Sequence, residues 1–451
     1  MKMAEQASEY QVKHARYVLT PWSAQAGLRP PTLVRGQGRF VYDAEGKRYL
    51  DLSSGLVSVN LGHAHPEVVR AMQAQAERLC YVAPSFFHDA RAELAETLVK
   101  LAPWPEEGRA FFTTGGAEAN EDAIKMARLI TGRPKVLAAY RSFHGSSYGA
   151  ATLTGDDRRL AAEPGIPGVI HFLAPYPYRS PFFTEEPEEE TRRALEHLEL
   201  ILLHEEPQRI AAVILEPVVG TNGVIVYPEG YLEGVRRITE RHGIILIFDE
   251  VMTGFGRTGA PFAAQRFGVT PDMITFAKAA TSAYVPLGGV LVRESLARHF
   301  DNNILWCGHT FSGHPFAVAV ALAVQRAYRD EGLLTRALEV EGWLRPALGE
   351  LHNKHDVVGD ARGLGAFFAL ELVRDRESRE PLVSRYGGDP APLREFHAAL
   401  RSRGVCVFGR HNILIIAPPL TITREEVELG VGALDESLAE LVRRLRQVRP
   451  A

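Results

Sequence analysis

Several features that would place the chain in a particular protein class are scarce or missing from its 451 residues. The three cysteines are far apart in sequence, with no Cys-x-x-Cys pair and no His/Cys cluster. We therefore expect no metal site and no disulfide framework, which fits a reducing cytoplasm. No apolar run approaches the ~18 residues of a membrane span. The polar N-terminus lacks the apolar core of a signal peptide, so we expect no targeting segment.

Neither sign of charge dominates, since the formal net charge is −4 and charged residues make up 24% of the chain. This balance lacks the basic excess of a nucleic-acid or anionic-membrane surface, so we expect small-molecule partners. Lysine is scarce, because 8 of the 51 basic residues are Lys and 43 are Arg. Few positions are therefore available for any lysine-dependent chemistry.

Short apolar runs with little alternation recur between about residues 60 and 330, and a helical pattern over Glu118–Ile130 follows the first of them. Strands that are buried on both faces have this character, which favours a mainly parallel central sheet covered by helices. The length allows one large domain with a smaller companion. We therefore predict an α/β fold with strands at 110–113, 136–140, 211–215, 244–248, 273–276 and 290–292.

Both chain ends predict a second, smaller α+β domain. Near the start, Arg39–Asp43 and Lys47–Leu52 flank a turn and favour a hairpin. Near the end, Gly404–Phe408 and Ile413–Ile416 favour a small sheet, and Thr423–Glu426 is a capping box that begins the last helix. The predicted division is an N-terminal segment 1–60 belonging to the small domain, a large cofactor-binding domain 61–330, and a C-terminal small domain 331–451.

The stretch IILIFDEVMTGFGRTG at 244–259 is compatible with three functions. A Walker B strand requires a GxxxxGK[ST] loop elsewhere, and no lysine of this chain is followed by Ser or Thr, which excludes it. The spacing Gly254-x-Gly256-x-x-Gly259 matches a dinucleotide-binding turn, but these glycines do not directly follow the strand. A glycine-rich loop is the better interpretation, and Asp249 is then free to serve another cofactor.

Lys278 ends an apolar run, where partial desolvation favours its neutral, nucleophilic amine. A lysine that extends from a strand end into solvent is the alternative. Gly115 and Gly116 join a strand to a helix, whose first N–H groups and dipole can bind a phosphate. With Asp249, which can keep a pyridine nitrogen protonated, these residues point to pyridoxal phosphate (PLP). Phe143 and Val251 are candidates for the two ring faces.

The sequence resembles the class III aminotransferases, which are PLP enzymes of fold type I. The resemblance extends from about Pro21 to about Glu440. The motifs that carry it are Gly62-His-Ala-His-Pro66, Thr114-Gly-Gly-Ala-Glu-Ala119, Phe143-His-Gly145, Glu216-Pro217, Phe248-Asp-Glu-Val-Met-Thr-Gly-Phe-Gly-Arg-Thr-Gly259, Ala277-Lys278 and Gly308-His-Thr-Phe-Ser-Gly313.

The resemblance implies a homodimer whose active sites lie at the subunit interface. Lys278 is implied as the residue that forms the imine with the cofactor, and Asp249 as the partner of the pyridine nitrogen. Thr310 is implied to reach the phosphate across the interface, and Glu216 to orient groups near the ring or substrate. The implied cofactor-binding set is Gly115, Gly116, Ala117, Phe143, His144, Glu216, Asp249, Val251, Lys278 and Thr310.

The phosphate loop and one ring-stacking position depart from the family pattern. Gly115 and Ala117 stand where hydroxyl residues are frequent, so backbone N–H groups replace some side-chain hydrogen bonds to the phosphate. Phe143 stands where Tyr is usual, which keeps ring stacking but removes the hydrogen bond of the phenol.

Three segments, 21–25, 217–223 and 281–287, are most similar to taurine:pyruvate and related ω-amino acid transaminases. They imply ping-pong transfer of an amino group from a taurine, β-alanine or GABA type of donor to a 2-oxo acid, with pyruvate expected. The alternatives are another PLP reaction type on the same fold, such as an aminomutase or racemase, and a 2-oxoglutarate-dependent aminotransferase.

The substrate pocket is implied less directly. Trp22, Val57 and Phe86 are wall candidates by resemblance, although core packing is an alternative role for each. Arg410, between two small-domain strands, is the candidate for the substrate's acid group. Members of the family place a mobile arginine at the position that Phe408 occupies here, and Arg410 lies two positions later. An ordinary exposed arginine is the alternative.

Overall fold

The computed structural model describes residues 2–385 and 387–448. In this part of the chain, no helix has both the length and the apolar character that crossing a bilayer requires. The helices are α1 Lys2–Tyr17, α2 Ser54–Val57, α3 Pro66–Arg78, α4 Asp89–Leu101, α5 Gly116–Thr131, α6 Tyr148–Leu153, α7 Pro187–Glu205, α8 Tyr231–Arg241, α9 Ala263–Phe267, α10 Glu294–Ala297, α11 Pro315–Asp330, α12 Leu333–Lys354, α13 Ala391–Ser402 and α14 Arg424–Val448.

The strands belong to one large sheet and several smaller ones. They are β1 Leu33–Gln37, β2 Phe40–Asp43, β3 Arg48–Asp51, β4 Gly108–Thr113, β5 Lys135–Ala139, β6 Val169–Phe172, β7 Ile210–Leu215, β8 Val218–Val219, β9 Ile225–Val226, β10 Ile245–Asp249, β11 Met273–Phe276, β12 Gly288–Arg293, β13 Val358–Leu364, β14 Phe367–Asp375, β15 Glu380–Pro381, β16 Val405–Cys406, β17 Phe408–Arg410 and β18 Ile413–Ile416.

The large sheet has the order β4-β12-β11-β10-β7-β5-β6. β12 runs antiparallel to both of its neighbours, while the other pairs are parallel. Every residue of β7, β10 and β11 is buried, which explains the absence of an alternating pattern in these strands. The prediction of a mainly parallel sheet covered by helices is confirmed.

This topology fixes the position of the functional site. Strands β4, β5, β7, β10 and β11 all point the same way, so their carboxyl ends lie along one edge of the sheet. Ligands of open α/β sheets bind at this edge, in the loops that follow the strands. Asp249 is the last residue of β10, and Lys278 follows β11 by two positions.

The ends of the chain join in a four-stranded sheet of order β1-β2-β3-β16 and a neighbouring sheet of order β13-β14-β18-β17. The predicted single strand at Gly404–Phe408 is wrong, because this run divides between the two sheets. β16 pairs with β3, whereas β17 pairs with β18. The Phe408 N–H donates to Ser53 Oγ at 2.7 Å, which holds the chain where it passes between the sheets. The domain boundaries at about residues 60 and 330 stay a prediction.

Candidate active site

A cavity of about 560 Å³ opens at the carboxyl edge of the large sheet. Three titratable side chains from separate strand ends, Lys278, Asp249 and Glu216, line it together. The other predicted site residues that the structure brings to this cavity are Trp22, Gly115, Gly116, Ala117, Phe143, His144 and Val251.

Asp249 is held in one orientation by three donors. Its carboxylate accepts from Asn120 Nδ2 at 2.8 Å and from the Val251 N–H at 3.0 Å, and it contacts His144 Nδ1 at 2.8 Å. The side chain is 3% exposed, so this carboxylate is costly to bury unless its hydrogen bonds are satisfied. The arrangement fixes an anionic group beside the cavity.

Asn120 is a functional residue that the sequence analysis did not identify. Its Oδ1 accepts from Thr275 Oγ1 at 2.7 Å, and its Nδ2 also donates to the His144 carbonyl at 2.7 Å. It therefore ties helix α5 to β11 and to the loop after β5. The position directly follows the Thr114–Ala119 motif, one turn into the helix, and that placement is the signal that could have identified it.

Lys278 begins a short 3-10 helix at Lys278–Thr281 and has a left-handed φ of 46°. Such backbone conformations in non-glycine residues cost about 1–3 kcal/mol and cluster at functional sites. Burial lowers the pKa of Lys278 to about 8, even though Asp249 and Glu216 oppose the shift by favouring the ammonium. A substantial fraction of the amine is therefore neutral near physiological pH.

Glu216 lies one residue beyond β7 and anchors two loops. Its carboxylate accepts from the Phe143 N–H at 2.8 Å and from the Gly220 N–H at 2.8 Å. Burial raises the pKa of Glu216 to about 7, with Asp249 adding to the shift and His144 opposing it. Glu216 thus sets the position of Phe143 on the cavity wall.

The start of α5 is shaped for close approach of an anion. Gly115 precedes the helix and offers no capping side chain, so the first helical N–H groups remain available for a ligand. A Cβ at Gly116 would lie 2.9 Å from Val251 Cγ2, and a Cβ at Gly145 would lie 2.5 Å from the Ala117 Cβ. Glycine is therefore required where these segments meet.

These features fit the groups of PLP. A reactive amine, a fixed carboxylate and an uncapped helix start face one cavity of suitable size. His144 Nε2 is buried with no partner among the described residues, and its other ring nitrogen contacts Asp249. A ring that carries both a pyridine nitrogen and a phosphate suits this donor and acceptor set.

Four of the predicted site residues are not among the described residues that line this cavity. Val57 is 1% exposed and packs in a core cluster with Val218 and Val224, while its neighbours Leu56 and Ser58 line the cavity. Phe86 is 62% exposed. Thr310 is also exposed, so its role across an interface stays a prediction.

Arg410 is the fourth, and it is paired with two carboxylates. It contacts Asp156 at 3.2 Å and also forms an ion pair with Asp157. It lines a separate, smaller cavity next to the active-site cavity. Its assignment to the substrate's acid group therefore stays a prediction.

Arg158 is a second residue that the sequence analysis missed, because no motif surrounds it among 43 arginines. Its guanidinium lies 3.5 Å from the ring centroid of Phe143 and 5.8 Å from that of Trp22. Its positive charge also contributes to the lowered pKa of Lys278, after the larger effect of burial. Arg158 is thus a cation packed against Phe143, a residue that lines the cavity, and it is paired with Asp156.

Comparison with known proteins identifies several related enzymes. The solved structure of taurine:2-oxoglutarate aminotransferase from Bifidobacterium kashiwanohense, in complex with PLP and glutamate, is 42% identical with a TM-score of 0.93, covering 97% of this chain and 98% of that one. An (S)-enantioselective omega-transaminase from Thermomicrobium roseum is 38% identical with a TM-score of 0.91, covering 97% and 99%. A leucine/methionine racemase from Thermococcus litoralis is 34% identical over 93% of each chain.

The family model for class-III aminotransferases matches residues 24–438, which is nearly the whole chain. This match agrees with the fold and with the residues that face the cavity. The chain belongs to the class-III aminotransferases, and its cofactor is pyridoxal phosphate.

Proposed function

We propose that this aminotransferase moves an amino group from an ω-amino acid of the taurine type to a 2-oxo acid. One observation carries the proposal. Lys278, whose pKa is lowered to about 8, lines the same cavity as the fixed carboxylate of Asp249. Similarity to a taurine aminotransferase and to an omega-transaminase supports the donor class.

Each residue of the cavity has a role in this proposal. When bound, PLP supplies an electron sink that stabilises negative charge on the carbon of the amine donor. Lys278 Nζ would hold the cofactor covalently, and as a free amine it would take the proton from that carbon and deliver it to a different carbon, on the cofactor side of the bound donor. Asp249 favours a protonated pyridine nitrogen, and His144 and Asn120 hold its carboxylate in place. The N–H groups of Gly116 and Ala117 bind the phosphate.

Arg158 is our proposed partner for the acid group of the donor. It lies over the ring of Phe143, which lines the cavity. A guanidinium binds a sulfonate or carboxylate through two parallel hydrogen bonds. Arg410 is the competing candidate. Both are already paired, since Arg158 would have to leave Asp156, and Arg410 would have to leave Asp156 and Asp157.

Pyruvate is our proposed acceptor, and 2-oxoglutarate is the competing one. Pyruvate carries one carboxylate, and Arg158, packed against the cavity residue Phe143, is one cation. The similar enzyme from Bifidobacterium kashiwanohense is named a taurine:2-oxoglutarate aminotransferase, and this similarity favours 2-oxoglutarate. 2-Oxoglutarate carries one carboxylate more than pyruvate, and binding that group requires a second cation.

We also propose a homodimer in which Thr310 and Phe86 complete the partner's cavity. Large apolar side chains are exposed in this region, including Phe87 at 105% and Trp306 at 70%. An interface between subunits accounts for such exposure. A mass of one chain in sedimentation equilibrium contradicts this proposal.

Replacement of Asp249 tests the cofactor geometry. Asp249→Asn should keep the fold and lower turnover by at least about 100-fold, because a positioned charge is lost from the site. Turnover and the thermal midpoint are measured together. Asp301→Asn, which changes a surface carboxylate paired with Arg109, should change neither. Retention of activity in Asp249→Asn contradicts the assignment.

A half-reaction separates transaminase from racemase, which the Thermococcus litoralis relative makes a specific alternative. Purified enzyme given taurine alone should lose its original visible absorbance and release one aldehyde per active site. Pyruvate should then restore the absorbance faster than 2-oxoglutarate does. The reverse order identifies 2-oxoglutarate as the acceptor. If the enzyme instead isomerises a chiral amino acid and releases no carbonyl product, the proposal of a transaminase is wrong.

Arg158→Met tests the acid-group partner. The KM for taurine should rise by about 10–100-fold, the effect of losing a charged hydrogen bond. The KM for an amine with no acid group should change little, which separates recognition of the acid from general damage. Arg410→Met is the matched comparison, and the proposal fails if it raises the KM for taurine while Arg158→Met does not.

A further inference from the structure

A second cavity, of about 160 Å³, lies beside the active-site cavity and shares no lining residue with it. Its wall is rich in arginine, and Glu371 is the acidic residue among those described there. The arginines that line it are Arg141, Arg179, Arg385 and Arg410.

Arg141 forms no ion pair with the residues that the structure describes, although the charge of Glu371 acts on it from a longer distance. Its guanidinium lies over the ring of Tyr176, 4.7 Å from the centroid. Its backbone has a left-handed φ of 66°, which is uncommon for a residue other than glycine. An arginine in such a site, partly removed from water, is costly unless an anion compensates its charge.

Arg179 adds a second unsatisfied group. Its Nε donates to Glu371 at 2.7 Å, but its Nη2 is buried with no partner among the described residues. Glu371 also contacts Arg362 at 2.9 Å and accepts from the Tyr176 hydroxyl. Its one negative charge is therefore shared between two arginines.

The ion pairs around this cavity leave an excess of positive charge. Arg385 and Arg410 share Asp157, and Arg410 also shares Asp156 with Arg158. Counting Arg362 and its partner Asp360, the cluster holds six guanidinium groups and four carboxylates, an excess of two positive charges. His411 adds no charge near neutral pH, because burial and Arg410 lower its pKa.

The positive charges of the arginines also repel one another, which lowers their pKa values. Burial is the largest cause of the lowered pKa of Arg141, and Arg385 and Arg179 lower it further, against the opposing effect of Tyr176 and Glu371. The same pattern holds for Arg410, whose pKa is lowered by burial and then by Arg158 and Arg385, against the opposing effect of Asp156 and Asp157. A bound anion would relieve this repulsion.

We infer that this cavity is a binding site for a small doubly charged oxyanion of the phosphate or sulfate type. Two negative charges match the excess of the cluster, and arginine forks match the oxygens of a tetrahedral ion. The size of the cavity admits such an ion and excludes a nucleotide.

The position of the site gives it a structural consequence. Arg141 follows β5 and directly precedes the segment that carries Phe143 to the active-site cavity. Arg410 is the last residue of β17 in the C-terminal sheet. A bound oxyanion therefore bridges the large sheet and the C-terminal sheet beside the active site, and it should raise the thermal midpoint of the protein.

Calorimetric titration of sulfate into the PLP-loaded enzyme tests this inference, because the cofactor already fills its own phosphate site. Chloride at matched ionic strength controls for screening. We expect one saturable site per chain. Arg141→Gln should weaken it by at least tenfold, which corresponds to about 1.4 kcal/mol. Arg424→Gln, which changes an exposed arginine paired with Glu428, should leave it unchanged.

Further variants distinguish this cavity from the substrate site. Arg385→Gln should also weaken sulfate binding, which keeps the test available if Arg141→Gln does not fold. Arg158 does not line this cavity, so Arg158→Met should weaken sulfate binding less than Arg141→Gln does. Loss in Arg158→Met with retention in Arg141→Gln places sulfate in the substrate cavity and overturns the inference. The absence of saturable binding, or binding of malonate without sulfate, overturns it as well.

Discussion

The partial burial of one amine, that of Lys278, is the constraint on which the site depends. Removal from water disfavours the ammonium, while the carboxylates of Asp249 and Glu216 favour it. Burial has the larger effect, so the pKa falls to about 8. The two carboxylates keep the fall moderate, which leaves both the charged and the neutral amine accessible near neutral pH. That balance is what a residue needs if it must bind a carbonyl and also move a proton.

The rest of the architecture serves to keep these charges in place. Parallel strands bring their ends to one edge, so residues from distant parts of the chain meet there. Asn120 and His144 then fix the carboxylate of Asp249, and Glu216 fixes the backbone of Phe143. A fixed charge needs no reorganisation during the reaction, and this is how polar groups in active sites lower barriers. The low stability of an unpaired buried carboxylate explains why Asp249 has three partners.

Much of the sheet and part of the site could be predicted from the sequence. The strand Met273–Phe276 has the predicted bounds, because a strand buried on both faces is a continuous apolar run. The apolar pattern gives no sign of Asn120, which reaches Asp249 across 129 positions only after α5 packs on the sheet, although its place directly after the Thr114–Ala119 motif is a local signal. Arg158 has no local signal, because no motif surrounds it and its contact with Phe143 forms only in the folded chain. Val57 packs in a core cluster while its chain neighbours Leu56 and Ser58 line the cavity, and resemblance to a motif does not separate adjacent positions of this kind.

Titration of the Lys278 amine tests the central claim most directly. The chain has 8 lysines, so selective ¹³C labelling of lysine and nuclear magnetic resonance of the cofactor-free protein resolve few signals. One signal should titrate near pH 8 and disappear in Lys278→Ala, because burial disfavours the charged amine. The other lysines provide the internal comparison. If every lysine signal titrates near the ordinary value of 10.5, Lys278 is charged at neutral pH and the account is wrong.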